Sequence, residues 1–131
     1  MKLNSLTPNL MVNDVEETIE YYTDVLGFTL LRTVPEKGKL DWAMVKCNDV
    51  VIMFQSTSSL KSSLPRLQGE KPGGGLTFYI KVDGVAELHD QLFDNEAEII
   101  SELESTFYDT LEFSIVDVNG YVLTFSEEQE N

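Results

Sequence analysis

Two βαβββ modules in tandem, an α+β fold, are predicted by an internal repeat, by the way each copy opens, and by the hairpin that closes it. Residues 6–15, LTPNLMVNDV, lie over residues 76–85, LTFYIKVDGV, at a shift of about seventy. Residues 41–54 lie over residues 112–125 at about seventy-one, with an acid, an aromatic, Val, Asn, Val and Phe in register. Two copies are too few for a solenoid and point to a paired module.

The first module, residues 1–55, opens with a short strand over residues 6–12, with Pro8 near its start as a first or edge strand allows. Asp14 is placed to cap a helix, with Glu17 three residues later. Val15, Ile19, Tyr22 and Leu26 follow at helical spacing, and Gly27 suits the stop. Residues 28–34 read as a strand. Residues 42–46 and 50–55 form a hairpin around Asn48 and Asp49.

The second module, residues 76–126, repeats the order: strands over 76–82 and 98–103, a helix over 85–93, and a hairpin of 112–117 and 121–126. Asn119-Gly120 is the strongest two-residue hairpin signal in the chain. Between the modules, residues 56–75 are rich in Ser, Gly and Pro and read as a linker or mobile loop. Residues 127–131 read as an acidic tail. The whole is expected to be one domain over residues 1–131.

Charge is distributed unevenly. Residues 1–82 hold nine acids and all nine Lys and Arg, whereas residues 83–131 hold fourteen acids and neither base, so the net charge of −14 belongs to the second part. Nucleic acid is disfavoured as a partner because phosphates need a basic footprint. An acidic field suits a cationic ligand, or serves solubility alone. No apolar run reaches membrane-spanning length, and residues 1–9 lack the apolar stretch of a secretory signal. The single cysteine, Cys47, has no internal disulfide partner and reads as a half-buried small residue. A cytoplasmic location is expected.

Residues 12–28, VNDVEETIEYYTDVLGF, resemble the opening motif of the vicinal oxygen chelate (glyoxalase/bleomycin resistance/dioxygenase) superfamily. Residues 107–121, FYDTLEFSIVDVNGY, resemble its closing motif, an aromatic turn and strand followed by a D-P-x-G-type hairpin. The resemblance implies a cupped mixed sheet with helices on the convex side and the ligand on the concave side. It also implies metal-ligand positions, which in this sequence fall on Thr7, Met53, Thr77 and Thr124. None is His, Asp or Glu, so neither metal nor other cofactor is expected. His89, the only histidine, is expected in a surface or half-buried role.

Alternation along the strands puts Thr7, Asn9 and Met11 on one face and Thr77 and Tyr79 on its counterpart. If both hairpin turns have two residues, Met53 opposes Met44, Gln55 opposes Trp42, Thr124 opposes Ile115 and Ser126 opposes Phe113. The candidate ligand face then carries Thr7, Asn9, Trp42, Met44, Met53, Gln55, Tyr79, Phe113, Ile115 and Thr124, with Tyr108 leaning over from the preceding turn. This apolar and aromatic mixture suits a flat organic ligand, or packing against another module or subunit.

Three functions are consistent with these residues. One is a metal-independent, homodimeric protein that sequesters a cationic or aromatic compound, similar to bleomycin-resistance proteins. The second is an enzyme of the superfamily: a metal-dependent lyase or isomerase with its ligands displaced from the usual positions, or a metal-free reaction using Tyr108, Asp109 or Glu112. The third is an interaction module for a partner protein.

Overall fold

The computed structural model describes residues 1–130, which form two compact units, the first over Met1–Pro72 and the second from Gly73 onward. Each is a four-stranded mixed sheet with a helix on one face, in the predicted βαβββ order.

In the first unit, β1 (Asn9–Val12) runs parallel to β4 (Val50–Ser56), followed across the sheet by β3 (Trp42–Cys47) and β2 (Thr29–Val34), both antiparallel to their neighbours. β1 is shorter than expected, so Thr7 lies just before it, although the Pro8 carbonyl still accepts the Met53 amide at 2.9 Å. Helix α1 (Val15–Glu20) begins as predicted. The Asp14 carboxylate accepts the Glu17 amide at 2.9 Å, satisfying a donor that the helix itself leaves unpaired. A π-helical turn, Tyr21–Val25, continues it. Gly27 follows at φ +79°, a conformation that costs glycine little.

The inward stripe of α1 packs as its spacing requires: Val15, Tyr22 and Leu26 are buried and Ile19 is half-buried. The Tyr22 ring lies 4.7 Å from Phe54 and 5.5 Å from Phe28. Ala43, Val45 and Ile52 complete that core. Residues 56–75 are not all loop: Ser56 accepts the Ser59 amide and opens α2 (Thr57–Ser63), which buries Leu60.

In the second unit, β5 (Thr77–Lys81) runs parallel to β8 (Val122–Glu128), followed by antiparallel β7 (Thr110–Val116) and β6 (Glu98–Ser105). Helix α3 (Val85–Asp94) packs on β6, β7 and β8. Its N-cap position is Gly84, which has no side chain to offer. Glu127 takes that role, accepting the Gly84 and Val85 amides at 2.8 and 3.2 Å. β8 therefore extends into the stretch expected to be an acidic tail. These two backbone hydrogen bonds hold the Glu127 carboxyl below the ordinary carboxylate range.

The hairpin of the second unit differs from expectation in one decisive respect. Asn119-Gly120 is not a two-residue turn; residues 117–121 all lie between the paired residues Val116 and Val122. The buried Asp117 carboxylate accepts the amides of Asn119 and Tyr121, both at 2.9 Å. The Asp117 amide donates to the Tyr121 carbonyl. This longer turn pairs Phe113 with Phe125 and Ile115 with Leu123, all buried on the helix side. Phe113 and Ile115 are therefore core residues, not part of the open face, because a one-residue change of register exchanges the two faces of a strand.

Gly73 rests against this turn at φ +92°, and a Cβ there would lie 2.6 Å from the Asn119 carbonyl oxygen. Gly73→Ala should therefore cost about 2 kcal/mol or more of unfolding free energy. Urea denaturation measures it, and an unchanged midpoint would contradict this packing.

Candidate functional site

The face of each sheet opposite its helix carries the side chains that can meet a ligand. In the first unit the predicted register is correct: Met44 pairs with Met53 and Trp42 with Gln55, joined by Asn48 and Asp49, with Asn48 at φ 52°. Asn9 pairs with Met53 on the other side of β4 and donates its side-chain amide to Gln55 Oε1 at 2.9 Å. Gln55 Nε2 donates to Ser59 Oγ at 3.0 Å, so α2 holds the far end of this amide pair. Trp42, Met44 and Met53 are half-buried, and Arg32 pairs with Met44 from β2. The result is an apolar surface with a fixed amide edge.

The second unit presents Tyr79 on β5, Thr124 and Ser126 on β8, and Glu112 and Ser114 on β7. Thr124 is on this face as predicted, but its partner is Ser114, whose hydroxyl lies 2.7 Å away. Glu112 is the residue that the expected register displaced. Its carboxylate accepts hydrogen bonds from four hydroxyls: Tyr79, Tyr108 at 2.8 Å, and Thr110 and Ser126, each at 2.9 Å. Tyr79 and Ser126 also meet each other at 2.8 Å.

These contacts come from three strands and one turn. The β6–β7 turn places Tyr108, with Asp109 at φ 63° and Thr106 bonded to Thr110 across the turn base. Phe107, almost fully exposed, packs edge-on against Tyr108 at 5.0 Å. Tyr108 thus leans over the sheet as the sequence suggested, with a carboxylate beneath it.

Charge is stabilised at Glu112. Burial pushes its carboxyl upward, but the hydrogen bonds from Tyr79, Tyr108, Thr110 and Ser126 together outweigh it and leave the group below the ordinary carboxylate value. The same bond, seen from the phenol, holds Tyr108 above its usual range. His89 lies on the opposite side of the sheet, edge-on to Phe113 at 5.2 Å, half-buried as expected. Burial lowers the His89 imidazole, but contacts with Asp90 at 3.2 Å and Glu102 at 3.0 Å more than offset this and raise it.

A family model described as the glyoxalase/bleomycin resistance protein/dioxygenase superfamily matches residues 2–125. The chain belongs to this superfamily. A bleomycin resistance protein of Geobacillus stearothermophilus is 27% identical over 131 aligned residues, covering 92% of this chain and 94% of the relative. A glyoxalase/bleomycin resistance protein/dioxygenase from Nocardioides superposes with a TM-score of 0.82 at 16% identity, covering 100% of this chain and 87% of the other. TnmS3, an antibiotic binding protein from a Streptomyces species, superposes at 0.77 with 17% identity, covering 98% and 99% of the two chains. These structural likenesses establish the fold of the superfamily.

The positions on which the resemblance places the superfamily's metal ligands are Thr7, Met53, Thr77 and Thr124. Three hydroxyls and a thioether do not suit a hard divalent cation, which takes carboxylate oxygen or imidazole. Among the described residues no three His, Cys, Asp or Glu side chains gather in a group that could hold a metal. Glu112 lies outside the four positions. Its one sequence signal was the repeat itself, which aligns it with Asp41.

A carboxyl whose folded value is lowered contributes stability above its unfolded value and loses that contribution as pH falls through the folded value. Glu112→Gln should therefore lower the urea midpoint at about pH 7, and its difference from the native protein should narrow toward about pH 3. A difference that is independent of pH would contradict the ionised network.

Proposed function

We propose that this protein binds and sequesters a small cationic organic compound that carries an aromatic group, without altering it and without a metal. The observation that carries this reading is the ionised Glu112 on the open face of the second unit, flanked by the half-exposed rings of Tyr79 and Tyr108. A carboxylate beside aromatic rings attracts a cation both by its charge and through the ring quadrupoles.

The bleomycin resistance relative and the antibiotic binding neighbour support a binding role of this kind. The direction of the Glu112 shift favours binding over catalysis. General acid–base catalysis is most efficient with a group poised near the working pH, whereas Glu112 is held below the ordinary carboxylate value. Homodimeric assembly, implied by the resemblance to bleomycin-resistance proteins, and a cytoplasmic location belong to the same proposal. No helix among the described residues is long and apolar enough to cross a membrane.

The test is equilibrium titration of the purified protein with a cationic aromatic dye and its anionic analogue, read by dye anisotropy. Saturable binding of the cation alone is expected, weakening as salt is raised, with Glu112→Gln reducing affinity about tenfold. Equal binding of both dyes, or no effect of Glu112→Gln, would overturn the assignment of Glu112 as the anchor.

A further inference from the structure

His89, the single histidine of the chain, takes no part in the Glu112 network. Its side chain is only 15% exposed, stacked on Phe93 of its own helix at 6.4 Å and edge-on to Phe113 of β7 at 5.2 Å. Both ring nitrogens meet carboxylates: Nδ1 lies 3.2 Å from Asp90 on α3, and Nε2 lies 3.0 Å from Glu102 on β6. Phe113, the contact from β7, carries no charge, so among the described residues these two acids are the titratable groups that face the imidazole. An ionised carboxylate only accepts hydrogen bonds, and a neutral imidazole has one donor and one acceptor. Donating to both acids at once therefore requires the imidazolium.

The strand that His89 reaches is irregular at that point. Ser101 pairs with Ser114 and Glu104 with Glu112, so Glu102 and Leu103 together stand against the single residue Phe113. This is a bulge, which interrupts the ladder locally, and β6 is the edge of its sheet. The Glu102 contact thus fastens β6 to α3 where its pairing with β7 is weakest. The same stretch, through Ser101, Glu102, Glu104 and Ser105, forms one wall of a pocket of about 330 Å³ beside Glu112.

We propose that His89 is a proton-operated latch: as an imidazolium it ties the β6 bulge to α3, and on losing its proton it frees the bulge and loosens that wall of the pocket. The latch acts whatever the pocket binds, so it stands apart from the cation-binding reading. Burial lowers the imidazole, but the two carboxylates outweigh it and hold the group above its ordinary 6.5. A raised folded value contributes stability that is complete below the unfolded value and lost as pH rises through the folded one. The wall is therefore held on the acid side and released on the alkaline side.

NMR of the full chain tests this, because one histidine gives one imidazole titration. Its midpoint should lie above 6.5. Solvent exchange of the amides of residues 101–105, corrected for the intrinsic effect of pH, should rise about three- to fivefold through that same midpoint, as the loss of one partly exposed ion pair predicts. Glu102→Gln keeps the size of the side chain and removes its charge. It should lower the imidazole midpoint and abolish the step in exchange, leaving these amides at the faster rate throughout. Glu104→Gln, on the same strand but paired with Glu112, should leave the step in place. A midpoint at or below 6.5, exchange without a step in the native protein, or a step that survives Glu102→Gln would each overturn the latch.

Discussion

The register between β7 and β8 decides what the second unit can do. Side chains alternate along a strand, so the number of residues in the connecting turn determines which set faces the helix. Asp117 sets that number by accepting two amides of its own turn, which places five residues between the last pair of one strand and the first of the next. Phe113, Ile115, Leu123 and Phe125 are thereby directed toward α3, and Glu112, Ser114, Thr124 and Ser126 toward the open face. A slip of one residue would bury Glu112 against α3 and expose two large apolar side chains. The core and the site are two sides of the same constraint.

That constraint also explains how an ionised carboxylate is tolerated on a partly buried surface. An isolated charge would be expelled or neutralised, but the register lines up Ser126 opposite Glu112, with Thr110 two residues along the same strand. Tyr79 reaches the same oxygen from β5 and Tyr108 reaches the other from the turn. Hydrogen bonds to a charged acceptor are among the stronger ones, and together they outweigh the burial penalty. The network stabilises the negative charge without cancelling it, which distinguishes it from an internal salt bridge and leaves a field for a ligand to answer.

Much of the fold was legible in the chain because the repeat is written in the periodicity of its residues. The Asp14 cap, the Val15–Tyr22–Leu26 stripe and the Met44–Met53 pairing all follow from local chemistry, and Asn48-Asp49 is a true two-residue turn. The second hairpin misled for an equally local reason. Asn119-Gly120 carries the strongest two-residue signal, but the side chain of Asp117 overrides it, and the face that a two-residue turn gives to Phe113 and Ile115 holds Glu112 and Ser114 instead. The Glu112 network was not legible at all, since Tyr79 lies 33 residues before it and Ser126 14 after. The cap of α3 was hidden in the same way: Gly84 gives no signal, and the carboxylate that replaces a side-chain cap comes from Glu127, 43 residues later.

In the proposed function Glu112 is an ionised, hydroxyl-held carboxylate that a cation would meet. The most direct measurement is its own titration, followed by the side-chain carboxyl carbon resonance in the free protein and with a saturating cationic aromatic compound. A midpoint below the ordinary glutamate value of 4.5 is expected in the free protein, with a further decrease when the cation is bound. A midpoint at or above that value, unmoved by the cation, would contradict it.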